Sequence, residues 1–341
     1  MKRQFNSIAK AWIALLIAVV ILASTGVARA ENLSVLPWTS PHFQDHSLVN
    51  RLYDGDGQPN SWTDVVERLR DASHILIGEI HNNADHHKIQ AAIVERVARF
   101  ERKPRIAFEM VPFSLQNVLD KAKPESVAEL GTQLRWNERG WPDWSMYSLV
   151  FEAALANGMP LLAANLSRAE TMALARQPDS EAARSLIKQF NLETALPKDA
   201  EQSLLKELAR SHCGLMPEQV LAPMQLVQRA RDGAMAQATG YDAEQTTVLI
   251  AGRGHVRQDR GVPFVLRQRV SDLKIISIGL FEVTPEQADI GDYELLNEQG
   301  EPLYDFVMFT PKASIDDPCI ALREKFGKGS GTETDKAKPK P

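Results

Sequence analysis

His74-Ile75-Leu76-Ile77-Gly78-Glu79-Ile80-His81 is a short β-branched apolar run that ends on a carboxylate and an imidazole. A run of this length, too short for a helix of ordinary span, reads as a fully buried strand. Upstream, Ser61 is placed to cap an amphipathic helix through Arg70, with Val65, Val66 and Leu69 on its apolar face. Downstream, residues 86–102 carry Ile89, Ile93, Val94 and Val97 at helical spacing. A second strand follows at Arg105–Met110, then a helix from about Ser114, a helix over Leu149–Asn157 and a third strand at Met159–Asn165. Strands that alternate with helices pair in parallel, which predicts an α/β fold whose mostly parallel sheet is flanked by helices.

From about Ser167 to Gly240 the pattern is helical throughout, so residues 167–240 are expected to form a helical insertion. Strands are then expected at Thr246–Gly252, Val262–Arg269, Lys274–Val283 and Tyr304–Thr310. The domain therefore spans 61–315, preceded by a polar, turn-rich leader (31–60) and followed by a tail (316–341). From about Gly327 that tail lacks apolar residues and is expected to be disordered.

The beginning of the chain has a different character. Lys2, Arg3 and Lys10 precede the apolar stretch Ala11–Ala23, and Ala28-Arg29-Ala30 supplies small residues for cleavage. These features predict a signal peptide over residues 1–30 and a periplasmic location. The apolar stretch is shorter than the roughly 20 residues needed to span a bilayer. No cysteine lies near the cleavage region, so a lipid anchor is not expected. Removing four cations and no anion takes the formal charge from −5 to −9. Such a chain is a poor match for nucleic acid or anionic lipid. Cys213 and Cys319 are the only cysteines, and in an oxidising compartment they are expected to pair.

Three of the expected strands end in ionisable groups: Glu79 with His81, Glu109, and His255 within Gly252-Arg253-Gly254-His255. In a parallel α/β sheet, ligands bind beyond the carboxyl ends of the strands. Two carboxylates and two imidazoles meeting there suit divalent metal binding or acid–base work. Each also has a structural reading: Glu79 and His81 satisfying loop amides, and Glu109 paired with Arg105 or Arg253. His86 and His87, at a helix start, are expected on the surface, and His74 in the core or at an edge. Two further stretches draw notice. Trp136 through Tyr147 holds Trp141 and Trp144, suited to burying a flat ligand. A helix carrying Gln228, Arg231 and Asp232 offers Arg231 as a clamp for a carboxylate or as a partner of Asp232.

These motifs occur together in one known pattern. Gly78-Glu79-Ile80-His81, Phe108-Glu109-Met110, Gly140-Trp141-Pro142-Asp143-Trp144 with Tyr147, Ala164-Asn165, His212-Cys213-Gly214, Gln228-Arg229-Ala230-Arg231-Asp232 and Gly252-Arg253-Gly254-His255 stand in the order seen in the ChaN-like family. The chain resembles that family of haem-binding proteins, in the wider Tiki/TraB and erythromycin-esterase-like superfamily, over roughly residues 60–285. The resemblance implies haem as cofactor, bound as paired haems across a homodimer, and a role in haem or iron uptake alongside an outer-membrane haem receptor or transporter. It makes Tyr147 the candidate iron ligand, with Trp144, Arg231 and His212 beside the haem. Glu79, His81, Glu109 and His255 match the superfamily's polar site, which implies the alternative, a metal-dependent protease or esterase. The chain is expected to be a haem binder rather than an enzyme; if it is an enzyme, it is a hydrolase.

Overall fold

The computed structural model describes residues 37–327. The expected signal peptide, the first residues of the leader and the tail beyond Gly327 lie outside them. Seven strands form one sheet: β1 (Leu52–Asp54), β2 (His74–Glu79), β3 (Arg105–Pro112), β4 (Leu161–Asn165), β5 (Thr247–Gly252), β6 (Ile275–Glu282) and β7 (Phe306–Thr310). Their spatial order is β1-β7-β6-β2-β5-β3-β4. All pairs are parallel except β1 with β7. The fold is α/β, as the alternation of elements predicts.

Burial explains why β2 reads as an unbroken apolar run. Ile75 and Ile77 point to one face and Leu76 to the other, all fully buried, because side chains alternate along a strand. On the first face lie helices α1 (Trp62–Arg70), α2 (Ala84–Val97), α4 (Val127–Gln133) and α5 (Trp144–Ala156), with the short α3 (Gln116–Leu119) near β4. The predicted Ser61 cap is present: its side chain accepts from the Asp64 amide.

The insertion is helical as expected: α6 (Arg168–Arg176), α7 (Glu181–Gln189), α8 (Lys198–Ser211) and α9 (Glu218–Thr239). These helices have small cores of their own, and Met235 and Ala236 of α9 join the core on the second face of the sheet. Among the described residues no helix is long and apolar enough to cross a membrane.

Several expectations need correction. Val262–Arg269 is a helix, α10, not a strand. Pro263 presets a helical φ at its first turn, and a parallel step from β5 to β6 requires a crossover helix at this point. The expected Leu149–Asn157 helix begins earlier, at Trp144, where the Asp143 side chain accepts from the Ser145 amide. The leader supplies β1, and Thr39 and Ser40 amides donate to the buried carboxylate of Asp85. Cys213 and Cys319 form a disulfide, which ties the turn after α8 to the C-terminal helix α11 (Pro318–Gly327).

Candidate functional site

The chain leaves β2 for β3 and β4 on one side of the sheet. It then returns to β5, beside β2, and continues to β6 and β7 on the other. The carboxyl ends of β2, β5 and β3 therefore lie next to one another where the direction of winding reverses, the usual place for a ligand crevice in such sheets. All four ionisable residues read from the strand ends meet there.

Glu79 ends β2 and is 2 % exposed. Its Oε1 accepts the Tyr147 hydroxyl at 2.6 Å and lies 2.8 Å from His81 Nδ1. Oε2 is 2.8 Å from His87 Nδ1 but lacks hydrogen-bond geometry, which leaves it buried without a donor. Burial alone would raise the Glu79 pKa, yet His87 and His81 together hold it well below the usual carboxylate range. Burial likewise opposes protonation of His81 and His87, and Glu79 outweighs it, raising both.

The second half of the site comes from three elements. Glu109 of β3 accepts the Gly252 amide through Oε2 at 2.7 Å, and its Oε1 lies 3.4 Å from His255 Nε2. His255, in the turn after β5, approaches Asp232 of α9 at 2.6 Å through Nδ1. One imidazole thus bridges two buried carboxylates. Burial pushes His255 down, but Glu109 and Asp232 prevail and raise it to about 10. Burial raises Glu109 and His255 lowers it, with a net fall to about 2. Asp232 is raised, chiefly by burial.

Gly252 lets the halves approach: a Cβ there would lie 3.1 Å from His81 Cε1 and Nε2 and 3.5 Å from Glu109 Oε2. A cavity of about 670 Å³ opens beside His81 and His255, between the strand ends and the insertion. His81 is the most open member, with 36 % of its side chain exposed. Its hydrogen bonds use Nδ1, and the Trp141 ring meets it in a T-shaped contact with centroids 5.1 Å apart.

Other expected site residues take different places. Tyr147 is fully buried, and burial followed by the Glu79 charge raises its hydroxyl pKa beyond the ordinary range. Trp144 packs against Gly131 and Phe151 and donates to the Val127 carbonyl. His212 sits at the end of α8 with Nδ1 2.8 Å from the Leu208 carbonyl, beside the disulfide and outside the cluster. Arg231 lines a separate pocket of about 360 Å³. It does not pair with Asp232, whose partner is His255.

His86 and His87 are both fully buried, not solvated. Nδ1 of His86 accepts the Ile80 amide and Nε2 faces Thr310 Oγ1, so the ring is held neutral. Burial, then the His87 charge, lower its pKa to about 3. The role of His87 was legible: the stripe Ile89-Ile93-Val94-Val97 extends backward by helical spacing onto both histidines. Among the described residues, no group of three or more His, Cys, Asp or Glu side chains is arranged to hold a metal ion. The expected divalent centre at Glu79, His81, Glu109 and His255 therefore has no ready-made ligand set here, because these side chains pair with one another.

An α/β sheet with a helical insertion gathers carboxylate–imidazole pairs at its winding reversal, where sheets of this class place their ligand crevice. The match to known families makes this specific. The chain belongs to the haem-binding uptake family ChaN of the Tiki superfamily, which matches residues 65–266. Among solved structures it is similar to ChaN of Campylobacter jejuni, described with cofacial haem binding, at 22 % identity and a TM-score of 0.55, over 75 % of this chain and 95 % of that one. It is also similar to a mutant of erythromycin esterase EreC in its open conformation, at 11 % identity and a TM-score of 0.43, over 79 % of this chain and 98 % of that one. No curated protein sequence matches the chain significantly.

Proposed function

We propose that this protein binds haem at the carboxyl edge of the sheet and handles it in the periplasm during haem or iron uptake. Membership of the haem-binding ChaN family supports the ligand. The signal-peptide pattern of residues 1–30 supports the compartment. The observation that carries the site is the state of His81: Nδ1 is fixed by Glu79, no hydrogen bond among the described residues uses Nε2, and the ring stands open beside Trp141. An imidazole held by a carboxylate through one nitrogen is oriented to offer the other to a metal. His81 would thus hold the iron of a bound haem, and Tyr147, buried against Glu79, acts through it. Bound haem would supply a flat, apolar ring around an iron that accepts one nitrogen donor. Trp141 offers that ring an aromatic edge. A second copy of the chain and an outer-membrane haem receptor or transporter are the proposed partners.

Titration of the purified protein with hemin tests this reading. A Soret shift is expected, lost or displaced in His81→Ala and retained in Tyr147→Phe. No shift would overturn haem binding, and loss in Tyr147→Phe with retention in His81→Ala would return the ligand role to the tyrosine. Sequencing the N-terminus of protein recovered from a periplasmic extract checks the compartment.

A hydrolase is the second reading, favoured by the 670 Å³ cavity between His81 and the Asp232–His255–Glu109 relay. An imidazole at such a position can pass a proton to a leaving group. Turnover of an ester or peptide that Glu79→Gln abolishes would establish it.

A further inference from the structure

Beside Trp141, a pocket of about 360 Å³ is walled by Met110, Leu166 and Trp141 and faced by Arg139, Arg168 and Arg231. Among the described residues none of these three arginines has an ion-pair partner. Such isolation is unexpected in a chain with a formal charge of −5. Nη2 of Arg139 and Nε of Arg231 are buried without a hydrogen-bond partner. A buried guanidinium nitrogen without an acceptor is destabilising, the more so because it is charged. The carboxylates close by are already engaged. Glu138, on the rim, pairs with Arg135, and Glu170 caps the amide of Ser167. The neighbouring amide is used too: Asn165 donates to the Glu109 carbonyl and accepts from the Leu166 amide. The burial of Arg139 lowers its pKa to about 10, with Arg135 adding to the effect, as expected for a cation lacking a counter-ion.

We infer that Arg139, Arg168 and Arg231 form a carboxylate subsite that receives the acidic groups of the ligand held at His81. The inference rests on the haem reading, since the acidic groups in question are the two propionates. Trp141 joins the two places: its ring meets that of His81 in a T-shaped contact, centroids 5.1 Å apart, and it also lines the arginine pocket. The guanidinium fork suits this task, because it presents paired donors in the plane of a carboxylate. Arg139 has a second duty: Nε and Nη1 donate to the Leu134 and Met110 carbonyls and hold the tryptophan stretch against β3. Among the described residues neither the Arg168 nor the Arg231 side chain has such a duty, so both can be replaced without removing a partner from that part of the fold.

The test compares hemin with hemin dimethyl ester, whose propionates are neutral, on the wild type and on Arg168→Gln/Arg231→Gln. Hemin should bind the wild type roughly tenfold or more tightly than the ester, as one or two charge-assisted hydrogen bonds would give. In the double variant the preference should collapse, mainly through weaker hemin binding, with the Soret position of the complex unchanged. Equal affinity for both porphyrins in the wild type, or an undiminished preference in the double variant, would overturn the subsite. If neither porphyrin binds, thermal melting with succinate separates the two failures. Stabilisation of the wild type but not the double variant would keep the carboxylate subsite and remove haem as its source. No stabilisation of either would end both readings.

Discussion

Tyr147 donates its hydroxyl proton to Oε1 of Glu79 across 2.6 Å, and the same oxygen lies 2.8 Å from Nδ1 of His81. A tyrosine on α5 and a histidine beyond β2 therefore share one buried acceptor. The carboxylate cannot turn without losing one of them, which fixes the direction of the imidazole. Tyr147→Phe removes one charge-assisted hydrogen bond and leaves the ring packing against Trp136 in place. The expected loss is about 1.5–3 kcal/mol, measurable by urea denaturation. An unchanged midpoint would show that His81 satisfies Oε1 of Glu79 without the hydroxyl.

The charge pairs also set the pH dependence of stability. His255 is raised to about 10, so the folded state holds a proton that the unfolded chain gives up above its ordinary histidine pKa. That stabilisation is complete below about pH 6.5 and disappears as pH climbs through about 10. His81 and His87, raised by Glu79, act in the same direction. Glu109, lowered to about 2, stabilises above the ordinary glutamate pKa and loses that contribution as pH falls towards 2. Neutral His86, lowered to about 3, also weakens the fold as pH falls below 6.5. Denaturation midpoints should therefore be highest near about pH 6.5 and decline on the alkaline side. His255→Gln should flatten that alkaline decline; an equally steep one would assign it to other groups.

How much of this was legible in the sequence depends on the range of the interaction. Strand–helix alternation and the site at three strand ends follow from local patterning and one general property of parallel sheets. Val262–Arg269 was not legible as a helix from its valines alone, because β-branched content spoke for a strand while Pro263 and the parallel crossover spoke against it. The burial of His86 and His87 escaped composition, since imidazoles are polar, but was present in the spacing of the stripe behind them. The partner of Asp232 was out of reach. Its neighbour Arg231 is the obvious candidate by sequence, yet consecutive helical residues point about 100° apart, and Asp232 faces His255 while Arg231 faces the other pocket.

The disulfide closes a separation of 106 residues between Cys213 and Cys319. Chain entropy puts its upper contribution at about 4.7 kcal/mol for a loop of this order. Cys319→Ser should lower the melting temperature and open the segment after Pro311 to protease, and reductant should bring the wild type to the same state. Because the bridge lies outside the strand-end cluster, hemin affinity should be unchanged. A parallel loss of hemin binding would mean that the insertion holds the site through this clip.

Gly252 gives the sharpest test of how closely the site is packed. Its φ of −60° and ψ of 144° are open to alanine, so backbone strain does not decide the outcome. Space decides it. The added methyl would stand 3.1 Å from His81 Cε1 and Nε2. The Gly252 amide must stay in place to serve Glu109, and Trp141 limits how far the imidazole can swing. Gly252→Ala is therefore expected to cost about 1–3 kcal/mol, as overpacking does, and to displace His81 from its bond to Glu79. Hemin affinity should fall with stability. Gly291→Ala, where nothing lies within 4 Å of the new Cβ, should stay within about 0.5 kcal/mol of the wild type. If Gly252→Ala kept both stability and hemin binding, His81 would have room to move, and its orientation by Glu79 would not govern the ligand.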